Sequence, residues 1–240
     1  MTPSTPRLRV LLVGYGRMGR LVDALAGSYG CDIAGRFDEA NNSGGTGIDA
    51  IAAGSVDVAI DFSFAEAVPA NFERLARLGV SVVVGTTGWQ GDEPRLRRIA
   101  AAAGVGVVAA PNFSVGVALF AALVESSGAL FSTQPVYGAW IHEAHHAAKR
   151  DAPSGTALAL RHALERAGCS RGIDIASTRV GHVPGTHTVG FDGPSETVTL
   201  THTVRDRSTF AHGALAAARW IHGRQGWFGM RDVLGLGPAS

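Results

Sequence analysis

Short apolar runs in the first half of the chain alternate with longer segments whose apolar residues have helical spacing. The helical spacing is clear at Leu21, Val22 and Leu25, and further helices are predicted over 65–78 and 95–103. The short runs, predicted as strands, are residues 8–13, 31–37, 56–62, 80–84 and 105–109. Strands without polar alternation are typical of a parallel sheet that is buried on both faces. The pattern therefore predicts an α/β fold with a doubly wound parallel sheet.

This alternation stops near residue 115, where a long apolar helix is predicted over 115–130 and a strand over 135–141. Later segments with strand patterns are 173–180, 186–191 and 197–204, and helical segments at 210–222 and 231–236 close the chain. The polar alternation of 197–204 predicts a sheet with one face wet or covered by a partner. We expect a second, mixed α/β domain over 117–206, with 1–116 plus 207–240 forming the first domain.

The first strand leads directly into a glycine-rich turn, Gly14-Tyr15-Gly16-Arg17-Met18-Gly19, and then into a helix. In that setting G-x-G-x-x-G is typical of a Rossmann-type dinucleotide-binding domain. Asp38 follows the second strand, where a carboxylate would accept the ribose hydroxyls. Glu39 adds an acid that would repel a 2′-phosphate and so favours NADH over NADPH. Arg36 or Arg17 could offset this preference by binding the phosphate.

A second turn, Gly85-Thr86-Thr87-Gly88, follows the strand predicted at 80–84. Open α/β sheets bind ligands at the carboxyl ends of their strands. The turn is therefore expected to contact the nicotinamide half of a cofactor, although a simple strand-to-helix connection is an equal alternative. The loop at 110–114 follows the strand predicted at 105–109 and is expected at the same carboxyl edge of the sheet.

The segment from Glu143 to Leu158 combines two histidines, two cations and the start of a predicted helix. Ser154 is the predicted N-cap of this helix. The amides of Gly155 and Thr156 can then hold a carboxylate, because a helix N-terminus carries partial positive charge. Lys149 adds to this field, and a histidine is suited to proton transfer near neutral pH. The segment predicts an anionic substrate, although a structural turn beside solvated histidines remains an alternative.

The same segment contains an H-E-x-x-H pattern, formed by residues 142–146, which is the signature of zinc peptidases. That chemistry needs a helix, because helical spacing places positions i and i+4 on one side of the metal. The preceding residues predict a strand, in which His142 and His146 would lie more than about 12 Å apart. We predict no metal site, and keep a peptidase with Glu165 as a third ligand as an alternative.

Composition narrows the classes of function. The 240 residues carry a formal net charge of +1 and only 17% charged residues, so no broad basic surface indicates nucleic acid or membrane as a partner. No run is expected to reach the roughly 18 apolar residues of a membrane span, and the N-terminus has charges where a signal peptide is apolar. Cys31 and Cys169 lack metal or redox spacing, which predicts inert thiols. We expect a cytoplasmic protein with a small-molecule substrate.

Together these motifs resemble the dihydrodipicolinate reductase family, also called 4-hydroxy-tetrahydrodipicolinate reductases, from the diaminopimelate route to lysine. The likeness covers nearly the whole chain. Its motifs are residues 14–19, Asp61-Phe-Ser63, 85–88, Pro111-Asn-Phe-Ser-Val-Gly116, 143–156, Gly185-Thr-His187, His202, 207–214 and 230–234. The stretch 143–156 is highly specific, whereas the glycine motif alone is not.

The resemblance implies reduction of 4-hydroxy-tetrahydrodipicolinate to tetrahydrodipicolinate, with loss of water, by NADH (preferred) or NADPH. It makes His145 the acid/base and Lys149 a proton donor or carboxylate partner. It further implies that His146, Gly155 and Thr156 hold the carboxylates of a cyclic dicarboxylate. The implied cofactor site consists of Gly14, Tyr15, Gly16, Arg17, Met18, Asp38, Gly85, Thr86, Thr87, Ala110, Pro111, Asn112 and Phe113. The family is usually a homotetramer assembled through its second domain, and its two domains close over the ligand.

Three features depart from the family pattern. The glycine loop is one residue shorter than the commonest form, Glu39 stands where many members have a basic residue, and the loop after the second strand is short. These departures concern cofactor preference and affinity, and they leave the substrate motif intact. A non-catalytic NAD(H)-binding sensor, or a reductase of another imine, is a further alternative.

Overall fold

The computed structural model describes residues 7–169 and 171–237, which form two compact units. Unit 1 contains residues 7–113 and 210–237, and unit 2 contains residues 114–169 and 171–209. The sequence predicts domain boundaries after residues 116 and 206, and the structure places the boundaries between the two units after residues 113 and 209.

The secondary structure follows the predicted order. The strands are β1 (Leu8–Val13), β2 (Cys31–Phe37), β3 (Val58–Asp61), β4 (Ser81–Val84), β5 (Gly106–Ala109), β6 (Gly138–His145), β7 (Asp174–Arg179), β8 (Thr186–Asp192), β9 (Thr197–Thr203) and β10 (Gly226–Phe228). The helices are α1 (Arg17–Ala26), α2 (Thr46–Asp49), α3 (Val68–Arg77), α4 (Glu93–Ala103), α5 (Val115–Ser132), α6 (Gly155–Arg166), α7 (Ser208–Ile221) and α8 (Met230–Val233).

Unit 1 is built on a six-stranded parallel sheet in the order β10-β5-β4-β3-β1-β2. Every residue of β3 and β4 is buried, as expected for central strands covered on both faces. The strand order reverses between β1 and β3, and such a reversal leaves a crevice at the carboxyl ends of the strands. The predicted doubly wound α/β sheet is confirmed.

Unit 2 contains a four-stranded mixed sheet in the order β7-β6-β8-β9. Only β6 and β7 run parallel, and the other pairs are antiparallel. One face of this sheet forms a core with α5 and α6, in which Phe120, Val124, Leu160 and Ile141 are buried. The predicted mixed α/β character of the second half is also confirmed.

The opposite face of the unit 2 sheet is rich in threonine. The register pairs Thr188 with Thr201 and Thr186 with Thr203, and their hydroxyl groups lie 3.0 and 3.2 Å apart. Thr201 and Thr203 of β9 are exposed, as is His142 of β6, which pairs with β8 on its other side. We call these residues the threonine face.

Three elements differ from the sequence prediction. Strand β6 continues past its predicted end at Ile141 to His145, so the first histidine of the proposed site lies in a strand. The four-residue helix α2 follows Gly45, which has a left-handed backbone, in the connection between the predicted strands 31–37 and 56–62, where the sequence analysis predicts no element. The edge strand β10 was missed because its three residues are too few to show a period.

The expectation that no run reaches the length of a membrane span is wrong for α5. Within the described residues it is the one helix long and apolar enough, with 18 residues and a mean hydropathy of 1.7. The core helix of a soluble protein passes the same test, and α5 packs against α6 and β9 within unit 2. Only 28% of its residues are buried, and Leu119, Leu123 and Leu130 are exposed.

Both cysteines are free thiols, with Cys31 buried and Cys169 partly buried. Burial raises the pKa of each thiol, which favours the unreactive protonated form. Cys31 belongs to unit 1 and Cys169 to unit 2, and the inertness of the two thiols stays a prediction.

Gly213 of α7 lies against the carbonyl group of Phe113, where a Cβ atom would overlap the oxygen. We expect Gly213→Ala to lower the free energy of unfolding by about 1–3 kcal/mol, because the buried backbone must shift. Thermal denaturation measures the change. Gly91→Ala is the matched control, since a Cβ there meets no atom, and equal Tm values for the two variants would contradict the predicted overlap.

Candidate functional site

The glycine turn after β1 has the close backbone contacts that its residues predict. The amides of Gly14 and Tyr15 donate to the Phe37 carbonyl at 2.8 and 3.0 Å, which fixes the turn beside the end of β2. Gly14 has a φ of +90°, and a Cβ there would overlap the Phe62 backbone. Glycine is therefore required, and the exposed turn at Gly16 leaves the backbone open to a ligand.

A cleft of about 390 Å³ lies beside this turn, at the carboxyl ends of β1, β3 and β4. The predicted cofactor residues that line it are Gly16, Arg17, Met18, Gly85, Thr86 and Thr87. Residues 62–65, to which the sequence analysis gave no role, complete the lining. The cleft is open, carries a cationic side chain and has glycine backbone at its edge. These features suit the diphosphate of a dinucleotide.

Asp61, the last residue of β3, organises the two loops of this cleft. Its Oδ1 atom accepts hydrogen bonds from the Ser63 amide (2.8 Å), the Ser63 hydroxyl (2.6 Å) and the Thr86 hydroxyl (2.9 Å). Burial raises the pKa of the Asp61 carboxyl, and these hydrogen bonds oppose the shift. One buried carboxyl thus connects the turn after β3 to the turn after β4.

The remaining predicted cofactor residues lie outside the cleft lining. Asp38 is exposed after β2, and its Oδ1 atom accepts a hydrogen bond from the Ala40 amide at 3.0 Å. The loop that contains Ala110, Pro111, Asn112 and Phe113 follows β5, and the Ala110 amide donates to the Val84 carbonyl at 3.2 Å. Phe113 is buried and meets Phe62 edge-on, with ring centroids 6.2 Å apart. This loop supports the cleft from behind Phe62.

In unit 2, strand β6 places Glu143 and His145 on the same, buried face, because residues two apart in a strand point the same way. Glu143 has no exposed surface. Its carboxylate pairs with His145 Nδ1 and accepts two hydrogen bonds from the Arg179 guanidinium, at 2.7 and 3.0 Å. It also accepts the Ser154 amide at 3.3 Å. The carboxylate therefore joins β6, β7 and the start of α6.

This arrangement sets the protonation of both partners. Burial raises the pKa of Glu143, but hydrogen bonds from Arg179, Ser177 and His145 outweigh it and hold the pKa at about 2. Burial lowers the pKa of His145, and the hydrogen bond and charge of Glu143 oppose this shift. Lys149 and Arg179 lower the pKa of His145 further through their charges. His145 is thus a neutral base at pH 7 whose protonated form has a carboxylate partner.

Ser154 connects this pair to the helix that follows. Its hydroxyl accepts the Ala157 amide at 3.2 Å and so caps α6, as predicted. The same hydroxyl lies 3.1 Å from His187 Nε2, and the His187 ring lies edge-on to His145 at 5.1 Å. Burial and the charge of His145 lower the pKa of His187 to about 4. The second histidine is therefore neutral, and its Nδ1 atom has no hydrogen-bond partner among the described residues.

The predicted substrate residues lie around this cluster. Lys149 is partly buried, and its Nζ donates to Asp151 Oδ1 at 2.8 Å. His146 begins the connection after β6, and the Lys149 amide donates to its carbonyl at 3.1 Å. Gly155 and Thr156 form the first turn of α6, whose amides point toward the N-terminal end of the helix. The structure thus places these residues on the loop and helix start next to His145.

The zinc-peptidase alternative fails on secondary structure, because residues 142–145 are in a strand and not a helix. His142 lies on the threonine face, on the opposite side of the sheet from Glu143. Its Nε2 atom lies 3.0 Å from the Thr178 hydroxyl. Ligand atoms of Glu143, His145 and His187 do lie within 4.8 Å of one another. Arg179 already neutralises this carboxylate, however, and a cation placed there would be repelled by the guanidinium.

The sequence analysis gave no role to Arg179, named Glu143 only within the 143–156 motif and its H-E-x-x-H pattern, and named Asp61 and His187 only within motifs of the family resemblance. The spacing of Glu143 and His145 is a signal that a strand assignment through residue 145 would have revealed. Arg179 gives no such signal, because it follows Glu143 by 36 residues and reaches it only through the pairing of β6 with β7.

A Rossmann-type nucleotide cleft in one unit and a buried histidine cluster in the other define a nucleotide-dependent oxidoreductase. Two family models match the chain: "Dihydrodipicolinate reductase, N-terminus" over residues 8–113 and "Dihydrodipicolinate reductase, C-terminus" over residues 116–234. The chain belongs to the dihydrodipicolinate reductase family.

Relatives that match nearly the full length of the chain are named as reductases of the same family. The 4-hydroxy-tetrahydrodipicolinate reductase of Thiobacillus denitrificans is 41% identical, over 95% of this chain and 99% of the relative. The enzyme of the same name from Methanoregula boonei is 37% identical, over 95% and 98%. A dipicolinate-bound dihydrodipicolinate reductase from Paenisporosarcina sp. TG-14 has the same fold, with a TM-score of 0.76, 21% identity and coverage of 94% and 98%.

The ion pair between Arg179 and Glu143 yields a stability prediction. We expect Arg179→Leu to lower the free energy of unfolding at pH 7 by about 3–5 kcal/mol, since Glu143 would remain buried without its cation. Because the native pKa of Glu143 is depressed, its contribution is present above its ordinary value of 4.5 and is lost as the pH falls toward about 2. The difference between variant and wild type must therefore shrink on acidification.

Urea denaturation at pH 7 and pH 4 measures this difference. Arg7→Leu is the control, because Arg7 forms an exposed pair with Asp32 whose loss costs at most about 1 kcal/mol. A loss for Arg179→Leu that is small, or independent of pH, contradicts the proposed charge compensation.

Proposed function

We propose that the chain catalyses reduction of 4-hydroxy-tetrahydrodipicolinate to tetrahydrodipicolinate, with loss of water, in lysine biosynthesis through diaminopimelate. The electron donor is NADH or NADPH. The observation that carries the proposal is the cluster in which Glu143 fixes both the His145 imidazole and the N-terminus of α6. The identity to full-length reductases supports the same substrate.

In this proposal unit 1 is the dinucleotide-binding domain. When bound, the cofactor supplies a hydride for the C4 region of the cyclic imine. The turn at residues 14–18 holds the diphosphate through its backbone, and the Gly85–Thr87 turn positions the nicotinamide half. Asp61 keeps both loops of the cleft in register by accepting hydrogen bonds from Ser63 and Thr86. Residues 110–113 lie outside the cleft lining, and Phe113 supports Phe62 through an edge-on ring contact.

Unit 2 is the substrate domain in this proposal. Lys149, His146 and the first-turn amides at Gly155 and Thr156 hold the two carboxylates of the substrate, because together they form a local positive field. His145 transfers the proton that completes the reduction, with its Nδ1 atom held by Glu143. Its Nε2 atom, on the opposite side of the ring, is then the atom that exchanges a proton with the substrate.

We also propose NADH as the preferred donor. Asp38 follows β2 at the position of the ribose acceptor, and Glu39 adds a second exposed carboxylate beside it. A 2′-phosphate carries nearly two negative charges and would be repelled by both side chains.

In the cell, the enzyme would work in the cytoplasm, with the rest of the soluble pathway.

The residue roles predict the kinetics of two variants. We expect His145→Gln and Lys149→Met each to lower kcat at least about 100-fold, since general acid–base groups contribute at least that much. The affinity for NADH should stay within about twofold, because neither residue belongs to unit 1. Loss of reduced-nicotinamide absorbance with freshly generated substrate measures the rate, and fluorescence titration measures NADH binding.

The controls are His222→Gln in unit 1 and Arg150→Met, an exposed cation beside Lys149. Both should retain normal rates. Near-normal turnover in His145→Gln and Lys149→Met would overturn the assigned roles, whereas failure of the unmodified enzyme to oxidise NADH or NADPH with this substrate would overturn the proposed function itself.

We propose that the threonine face is the interface of a homotetramer. Its residues are four threonines with paired hydroxyls and the exposed His142, on a sheet whose other face packs against α5 and α6. Such a surface fits a second copy of itself across a two-fold axis.

We expect Thr201→Arg to reduce the assembly to dimers or monomers, because four buried guanidinium groups would lie without partners. Size-exclusion chromatography with light scattering reports the mass. Ala102→Arg, at an exposed position of α4 in unit 1, should leave the assembly unchanged. A Thr201→Arg protein with the mass of the unmodified enzyme would exclude this face as the interface.

A further inference from the structure

Arg36, near the end of β2, is held by Asp23 of α1. The guanidinium donates two hydrogen bonds to the carboxylate, from Nε to Oδ2 at 2.6 Å and from NH2 to Oδ1 at 2.8 Å. The Tyr15 hydroxyl donates to Asp23 Oδ2 at 2.5 Å, and its ring centroid lies 5.9 Å from the Arg36 guanidinium carbon. The hydrogen bonds from Arg36 hold the pKa of Asp23 below its ordinary value. The arginine is thus engaged through the two-pronged edge that also binds phosphate.

This pair lies at the corner of the sheet where the ribose of a dinucleotide is expected. The amides of Gly14 and Tyr15 donate to the Phe37 carbonyl, which joins the glycine turn to the end of β2. The Asn41 side chain donates to the Arg36 carbonyl at 3.0 Å and accepts the Asp38 amide at 2.8 Å. In dinucleotide-binding folds, an arginine near this acid is the group that accommodates a 2′-phosphate.

We propose that Asp23 is a positioning residue for cofactor specificity: it engages the Arg36 guanidinium and withholds it from a 2′-phosphate, so that the chain discriminates against NADPH. The inference rests on the proposed use of a nicotinamide dinucleotide. A phosphate that recruits Arg36 must first displace the Asp23 carboxylate. The Asp23 carboxylate would then lie without its cation near the doubly charged 2′-phosphate, which is unfavourable. Asp23 therefore disfavours NADPH, as Asp38 and Glu39 do. It acts by holding the Arg36 guanidinium, whereas the other two acids repel the phosphate directly.

The test removes the charge of Asp23 and retains its shape. We expect Asp23→Asn to raise the ratio of kcat/KM for NADPH to that for NADH by about tenfold, the value of one hydrogen bond to a charged group. Calorimetry without turnover should show the same change as tighter binding of 2′,5′-ADP relative to ADP. The gain should shrink at high salt, because the Arg36 side chain is exposed to solvent.

Asp32→Asn is the matched control, because Asp32 lies on the same strand and forms an exposed pair with Arg7 at 2.7 Å. It should leave the ratio unchanged. Asp23→Asn combined with Arg36→Met should lose the gain, because the released guanidinium is then absent.

Two results would overturn the inference: an unchanged ratio in Asp23→Asn, or a gain that persists in the double variant. The binding of 2′,5′-ADP and ADP decides these outcomes without the substrate. An enzyme that binds both nucleotides but does not turn over would therefore contradict the proposed reaction and not the role of Asp23.

Discussion

The site in unit 2 depends on one buried negative charge, the carboxylate of Glu143. A carboxylate without exposed surface is strongly unfavourable unless donors surround it. Here the donors come from three elements: Arg179 from β7, His145 from β6 itself, and the Ser154 amide that precedes α6. The need to compensate this charge fixes the strand register, the orientation of the imidazole and the start of the helix at the same time.

Unit 1 also contains a buried carboxyl group, but its described hydrogen-bond donors carry no charge. Asp61 is also buried at the end of a strand, but the described contacts to its carboxyl come from uncharged donors of Ser63, Thr86 and Asn71. Its pKa is therefore raised, whereas Arg179 keeps that of Glu143 at about 2. The full charge of Glu143 beside His145 stabilises the protonated form of the imidazole.

The sequence predicts the parts of this architecture that depend on local patterns. The apolar runs fix the parallel sheet, and the glycines fix the turn at Gly14, where a Cβ would overlap a neighbouring strand's loop. The cap at Ser154 follows from its side chain and the helix after it. Arg179 could not be predicted, because its role depends on the pairing of β6 with β7. Strand β6 was predicted too short because its last buried residues are Glu143 and His145, which reverse the usual burial of apolar side chains.

The pKa of His145 connects this electrostatic arrangement to the proposed reaction. Without ligand, burial and the charges of Lys149 and Arg179 keep the imidazole neutral, in spite of Glu143. A substrate with two carboxylates bound at Lys149 and the start of α6 would neutralise part of that positive field. The pKa of His145 would then rise, since a nearby anion favours the charged form. Protonation of the acid would accompany binding of the substrate, so the proton would be in place when the hydride is transferred. Glu143 makes this possible, because it offers the imidazolium a carboxylate partner inside a buried site.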